Sequence, residues 1–137
     1  MKEELQSYIY TEKYIASLYQ KAAALAPTTQ EREAMLQFAK ESYQNAEYLN
    51  YFYKKQFGTN YDPVISNTNI PNDYRSILTE IIYQELTSYL AYRRQTYFQN
   101  DYEFKETMRS ISDTKLGHIL SVQSILIYMN SPQGQQS

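Results

Sequence analysis

The sequence contains no cysteine, and it has only 3 glycines, 4 prolines and a single histidine among 137 residues. The absence of cysteine excludes a disulfide framework, a thiolate nucleophile and any cysteine metal ligand. The scarcity of glycine and proline, which interrupt regular structure, favours a mainly helical globular protein. A chain of this length is expected to form one domain around one core.

The chain also lacks a strong excess of charge of either sign and a long apolar run. Its net charge is −2, with 13 scattered basic residues against 15 acidic ones, so no nucleic-acid partner is predicted. The longest apolar-leaning run, residues 119–129, is too short to span a bilayer, so no membrane partner is predicted either. The charged N-terminus lacks the apolar segment of a signal peptide, and we therefore expect a cytoplasmic location.

Apolar residues recur every third or fourth position in four stretches, which predicts an all-α protein with four long helices. The first helix ends before Pro27, and Thr28 and Glu31 form a capping-box pattern for the second. A connection this short predicts that the first two helices are antiparallel neighbours. The predicted helices cover residues 3–26, 29–57, 74–98 and 104–129.

Between the second and third helices lies a segment without helical periodicity, residues 59–73, which contains two prolines and several asparagine and aspartate residues. Gly58 is expected to end the second helix, Asp73 to cap the third, and Asn100 or Asp101 to cap the fourth. A connection of this length predicts a crossover along the height of an antiparallel four-helix bundle. We assign residues 1–130 to this bundle and residues 131–137 to a disordered polar tail.

We use the term seam for the stripe of residues, spaced three or four apart, that faces the other helices. In each helix this otherwise apolar seam contains polar residues at mid-height. Lys115 and His118 interrupt the seam of the fourth helix, and a buried unpaired ammonium costs several kcal/mol. We therefore expect the Lys115 ammonium to lie between the carboxylates of Glu12 and Glu85, with the remaining members completing the hydrogen bonds around them. The predicted polar core consists of Glu12, Ser42, Asn45, Glu85, Lys115 and His118. Glu41 and Gln44 fall outside the seam and are predicted to be exposed.

The first and third helices share a spacing. Glu12 is followed seven residues later by Tyr19, and Glu85 is followed seven residues later by Tyr92. This internal repeat predicts two helical hairpins related by a pseudo-two-fold axis. Most of the 16 tyrosines are interpreted as surface or interface residues, with a redox relay as the alternative.

The polar layer resembles that of the ferritin-like superfamily, in particular its rubrerythrin-like branch of small proteins found in many bacteria. The resemblance covers about residues 4–129. It is carried by the segments YTEKYIASLY (10–19), FAKESYQNAEYL (38–49), YQELTSYLAY (83–92) and ISDTKLGH (111–118).

In that family, helices one and three each supply one glutamate, and helices two and four each supply a Glu-x-x-His pair, which together bind two iron ions. Glu12, Glu85 and His118 match these ligands. At the other three ligand positions the chain has Ser42, Asn45 and Lys115. The resemblance therefore implies a ferritin-like fold with a degenerate di-iron site, no catalytic residue, no metal and no cofactor, acting as a structural or binding module rather than an enzyme.

Two other functions remain open. Glu12, Glu85 and His118 could surround a single iron or other transition-metal ion in an oxidoreductase or iron-handling protein. Lys115 beside a histidine could instead act as a nucleophile or Schiff-base former. The sequence does not identify a small-molecule ligand.

A homodimer is also predicted, with the fourth helix or its tyrosine-bearing neighbours at the contact, because the fourth helix is apolar beyond its seam and a second apolar face requires burial. The apolar residues off the seam are Leu116, Ile119, Leu120, Leu126 and Ile127.

Overall fold

The computed structural model describes residues 1–98 and 100–135, apart from the side chains of residues 97 and 98. Within these residues the fold is all-helical and contains no strand. The prediction of four long helices is confirmed, and their ends agree with the sequence-based bounds to within two residues. The elements are α1 (Lys2–Leu25), α2 (Thr29–Phe57), α3 (Tyr74–Phe98), α4 (Tyr102–Met129) and a short α5 (Pro132–Gln135).

The helix ends follow from local side-chain chemistry. The Thr28 hydroxyl accepts the Glu31 backbone N–H at 3.1 Å and donates to the Glu31 carboxylate at 2.8 Å, as the capping-box pattern predicted. Asp73 and Asp101 accept backbone N–H groups in the first turns of α3 and α4. Gly58 ends α2 with a φ of 85°, a left-handed conformation that costs a glycine little because it has no Cβ.

Residues 58–73 connect α2 to α3 and are held against α1 and α2 by polar contacts. Near the start of this segment, the backbone of Tyr61 exchanges hydrogen bonds with the Asn50 side chain at 2.8 and 2.9 Å. Near its end, Asn72 accepts a hydrogen bond from Lys21 at 2.7 Å. Ile70, which is 8% exposed, packs into the apolar core. These contacts, rather than helical structure, fix the course of the segment.

Helix α1 packs against α2, α3 packs against α4, and α1 also packs against α3, whereas α2 and α4 make much less contact. The buried apolar residues form two clusters, one containing Ile15 and Ile81 and the other containing Ile9 and Met108. Along each of the four helices, the buried polar residues lie between the two clusters, except Thr96 of α3, which lies beyond the second cluster. The core is therefore two apolar layers separated by a polar one.

The polar tail was predicted to be disordered over residues 131–137. Its residues 132–135 form the single-turn helix α5, while residues 136 and 137 lie outside the described part of the chain. The disorder of the tail stays a prediction. Among the described residues, no helix is both long enough and apolar enough to cross a membrane.

Candidate functional site

The polar layer is organised around Lys115 of α4. Its side chain is 0% exposed, and its Nζ lies 2.6 Å from Glu12 Oε2 and 2.8 Å from Glu85 Oε1. The ammonium thus joins one carboxylate from α1 to one from α3. Lys115 Nζ also lies 5.2 Å from the centroid of the Tyr92 ring, within the range of a cation–π contact.

Three donors surround each carboxylate. Glu85 accepts from Lys115, from the Tyr19 hydroxyl at 2.8 Å and from His118 Nδ1 at 2.7 Å. His118 Nδ1 is the donor in this contact, because an ionised carboxylate carries no proton and can only accept hydrogen bonds. The Glu85 carboxylate is therefore fully partnered by side chains of α1 and α4.

Glu12 is held in the same way by different residues. It accepts from Lys115, from the Tyr92 hydroxyl at 2.6 Å and from Asn45 Nδ2 at 3.2 Å. Its donors come from α2, α3 and α4. Both buried glutamates consequently accept three hydrogen bonds each from the protein and share one ammonium as their ionic partner.

These contacts shift the pKa values of the layer in opposite directions. Burial alone raises the pKa of Glu85, but the Lys115 ammonium and the hydrogen bond from His118 outweigh it and lower the pKa from 4.5 to about 2. Burial alone lowers the pKa of Lys115, but the charges of Glu12 and Glu85 raise it above 10.5. Glu85 and Lys115 are thus both ionised at neutral pH.

The two buried tyrosines are donors to the opposite helix. Tyr19 of α1 donates to Glu85 of α3, whereas Tyr92 of α3 donates to Glu12 of α1. Burial, followed by the nearby carboxylate charge, raises the pKa of both hydroxyls well above 10.0, which keeps them protonated as donors. The repeated Glu and Tyr spacing in the sequence therefore corresponds to two equivalent hydrogen bonds exchanged between α1 and α3.

The repeat extends to α2 and α4. The corresponding residues of the two helix pairs, α1 with α2 and α3 with α4, are separated by the same number of positions along the chain in every case: Glu12 and Glu85, Tyr19 and Tyr92, Ser42 and Lys115, Asn45 and His118. Residue types match in the first two pairs and differ in the last two.

Ser42 is 0% exposed but does not take the role that the sequence suggested. Its hydroxyl donates to the Phe38 carbonyl one turn earlier in α2, at 2.9 Å, rather than completing the hydrogen bonds of the carboxylates. Serine inside a helix commonly bonds back to this carbonyl, since the group is within reach without any tertiary contact. The prediction that Ser42 is a hydrogen-bond partner of the glutamates is wrong.

Glu41 was predicted to be exposed, and this prediction is also wrong. Its side chain is 29% exposed, and its Oε2 lies 3.6 Å from His118 Nε2. Glu41 is half-buried because it lies one position from the seam residue Ser42, at the edge of the buried face of α2. Sequence reasoning missed this contact, although an acid next to the seam and opposite the single histidine was a signal for it.

The layer does not fit the two metal ions that are bound in the family the sequence pattern resembles. The inward oxygens of Glu12 and Glu85 are bonded to Lys115, and Ser42 and Asn45 offer neither a carboxylate nor an imidazole. Two iron ions require several carboxylates for charge neutrality, and an ammonium at the centre repels them. In the part of the chain that the structure describes, no group of three or more histidine, aspartate or glutamate side chains is placed to hold a metal ion.

Comparison with known proteins shows the fold. A solved structure of a hypothetical protein from Pyrococcus furiosus is similar to this chain with a TM-score of 0.78 over 93% of this chain and 89% of that one. The two sequences are 17% identical. No protein-family model and no curated protein matches the chain.

Proposed function

We propose that this protein is a ferritin-like four-helix bundle that serves as a structural or binding module. In it, the positive charge of Lys115 takes the place of the metal ions that neutralise the glutamates in related di-iron proteins. Within this proposal α1 with α2 and α3 with α4 are antiparallel hairpins, and residues 58–73 form the crossover between them. The short α1–α2 and α3–α4 connections and the contacts of residues 58–73 with α1 support this arrangement.

One observation carries the proposal: the fully buried Lys115 ammonium is within 2.8 Å of both glutamates. Two carboxylates facing each other in a dry core repel strongly, and each would favour its protonated form. A cation between them removes that repulsion. Here the cation is part of the chain, and it occupies the position between α1 and α3 that a metal ion would need.

The alternative of a single metal ion held by Glu12, Glu85 and His118 has less support. Each glutamate already accepts three hydrogen bonds, and the His118 nitrogen directed towards Glu85 carries a proton and has no lone pair to offer. A metal ion would have to displace Lys115 and strip these donors. The same geometry weighs against Lys115 as a nucleophile, because its pKa is raised and a protonated amine has no lone pair.

Elemental analysis tests the proposal. The protein is purified without a metal-affinity tag from cells grown with abundant iron and is then dialysed against a mild chelator. The proposal predicts that less than about one tenth of an ion per chain is retained, which means that no stoichiometric binding occurs. Retention of one or two transition-metal ions per chain, lost in a Glu12→Gln variant, would show instead that the protein is a metalloprotein.

We also propose that two copies associate through the outer surfaces of α3 and α4. Leu116, Leu120 and Ile127 of α4 are 42%, 57% and 71% exposed, whereas Ile119 is buried and Leu126 is half-buried within the monomer. The predicted second apolar face of α4 is therefore narrower than the sequence indicated. Helix α3 adds an exposed apolar stripe that the sequence reasoning did not single out: Tyr83, Leu86 and Leu90.

Sedimentation or light scattering at tens of micromolar tests this association. We expect a dimer mass for the wild type and a monomer mass for Leu120→Glu. Leu36→Glu is the matched control, since Leu36 is 50% exposed on α2 and lines a surface cleft whose residues all belong to α1 and α2. A wild-type monomer at these concentrations would contradict the proposal.

A further inference from the structure

His118 has one nitrogen that the polar layer does not use. Its side chain is 3% exposed, its Nδ1 donates to Glu85, and its Nε2 makes no hydrogen bond. In the described part of the chain, His118 Nε2 is the one buried side-chain nitrogen or oxygen that lacks a hydrogen-bond partner. An orphaned buried polar atom is costly, and native proteins keep few of them without a reason.

The unused nitrogen lies beside Glu41, a residue that lines a cleft between α2 and α4. Its nearest ionic neighbour is Glu41 Oε2 at 3.6 Å, and Glu41 lines the cleft, which has a volume of about 500 Å³. Glu103 and Glu106 also line the cleft, and in the described residues its lining includes no lysine, arginine or histidine. The sparse packing between α2 and α4 leaves this side of the bundle open.

In the neutral imidazole, a proton on Nδ1 leaves a lone pair on Nε2. That lone pair then faces an oxygen of the Glu41 carboxylate, and two acceptors facing each other repel unless a positive charge lies between them. A hydrogen bond from an imidazolium is not formed, since 3.6 Å exceeds the length of one. The pair therefore has the chemistry of a cation site.

We propose that His118 Nε2 and the Glu41 carboxylate together bind a divalent first-row transition-metal ion such as Zn²⁺ behind the wall of the cleft between α2 and α4, where Glu41 separates the buried histidine from the cleft. Water completes the coordination. This site differs from the centre of the layer, and the proposal rests on the proposed function in one respect: Lys115 keeps the metal ion out of that centre.

The distance between the two donor atoms supports a metal ion over a larger cation. Zinc binds nitrogen and carboxylate oxygen at about 2.1 Å, and a tetrahedral angle then places those donors about 3.4 Å apart. The observed separation is 3.6 Å, so only a small adjustment of Glu41 is required. An ammonium ligand hydrogen-bonded to both atoms would hold them further apart, because its hydrogen bonds are about 2.9 Å long.

Two further features match a metal ligand. A histidine that binds metal through one nitrogen typically donates its other ring N–H to a carboxylate, as His118 does to Glu85. The layer and Glu41 together hold three carboxylates against the Lys115 ammonium, an excess of two negative charges that a divalent ion would neutralise. With only two protein ligands, one of them on the partly exposed Glu41 side chain, the ion is expected to exchange and to be removed by a chelator.

The single histidine makes the test direct. Protein labelled with ¹⁵N only in histidine shows two ring-nitrogen resonances, both from His118. Zn²⁺ is added to tag-free protein that has been freed of metal with a chelator. We expect the Nε2 resonance to move in a saturable manner at one ion per chain, while Nδ1 keeps its proton.

Variants locate the ion. Glu41→Gln keeps the size of this half-buried side chain and removes its charge. It is expected to weaken Zn²⁺ binding at least about tenfold, because even the loss of a group that only contacts a metal ligand usually weakens binding by that factor. Glu103→Gln and Glu106→Gln, in the same cleft, are expected to bind as the wild type does.

Each contrary result has its own meaning. If Zn²⁺ moves neither resonance, or if Glu41→Gln binds as tightly as the wild type, the cleft site is overturned and the proposed function stands. If Zn²⁺ displaces the proton of Nδ1, the ion has entered the layer between Glu85 and His118, and both proposals fail.

Discussion

Helices α1 and α3 contribute the same residue types to the buried layer, whereas α2 and α4 do not. Helices α1 and α3 each supply a glutamate and a tyrosine, and each tyrosine donates to the glutamate of the other helix. At the corresponding positions, α2 supplies Ser42 and Asn45, and α4 supplies Lys115 and His118. The position of Lys115 explains why the asymmetry is tolerated: one ammonium between the carboxylates forms an ion pair with both, so only one of the two helices has to provide it.

The largest expected effect comes from removing the shared cation. Lys115→Ala leaves two buried carboxylates without their ion pair, and we expect it to lower the free energy of unfolding by about 3–5 kcal/mol. Lys115→Met is expected to cost less, because methionine refills the space. Lys13→Ala is the control, since its partner Asp62 is 87% exposed and solvent screens such a pair so that it contributes little to stability. Urea unfolding at pH 7 measures all three, and equal losses for Lys115→Ala and Lys13→Ala would refute a central role for Lys115.

Acid is expected to act on the Glu85 half of the layer. The pKa of Glu85 falls from 4.5 to about 2 on folding, so its stabilisation is fully present above pH 4.5 and is lost as the pH falls through about 2. The shift corresponds to about 3 kcal/mol. Urea unfolding at pH 6, 4 and 3 tests this, and a Glu85→Gln variant should lack this part of the pH dependence. An identical pH dependence in that variant and the wild type would assign the acid sensitivity to other groups.

The reciprocal tyrosines offer a direct test of the symmetry. Tyr19→Phe and Tyr92→Phe each remove one hydroxyl that donates to a buried carboxylate, and each is expected to cost about 1.5–3 kcal/mol. Chemical denaturation of both variants measures the losses side by side. Comparable losses would sharpen the comparison, and a large difference between them would break the equivalence of α1 and α3.

The smallest effects are expected on α2. Ser42→Ala removes a hydroxyl that bonds only to the Phe38 carbonyl of its own helix and is expected to cost less than about 1 kcal/mol. Asn45→Ala removes a donor to Glu12 and is expected to cost more. The reverse order in thermal or urea unfolding would place Ser42, rather than Asn45, in contact with the charged layer.

The sequence was sufficient to predict the helices and the members of the layer. The capping residues Thr28, Asp73 and Asp101 and the stop at Gly58 are local signals, and local chemistry decides where a helix begins and ends. The seam positions identified which residues are buried at mid-height, since the 3.6-residue period reports burial without any knowledge of neighbouring helices.

The seam pattern could not predict which side chains of the layer form hydrogen bonds with each other. Which glutamate receives Tyr19 or Tyr92 depends on how far apart two helices lie and how they are staggered, and neither quantity is written in the period of one helix. Glu41 was assigned to solvent for the same reason: a residue at the edge of a seam is buried or exposed according to how closely the next helix approaches. The exposed apolar stripe of α3, which includes Leu86 and Leu90, was missed because only α4 was searched for apolar residues outside its seam.

A matched iron titration tests the central claim that Lys115 stands in for metal charge. Wild-type protein and the triple variant Ser42→Glu, Asn45→His, Lys115→Glu, which restores the six ligands of the family resemblance, are loaded anaerobically with ferrous iron and dialysed against a mild chelator. The account predicts about two retained ions per chain for the variant and none for the wild type, because only the variant has four carboxylates and two imidazoles in the layer. Retention of iron by the wild type at Glu12 and Glu85, or a folded variant that retains no iron, would contradict it.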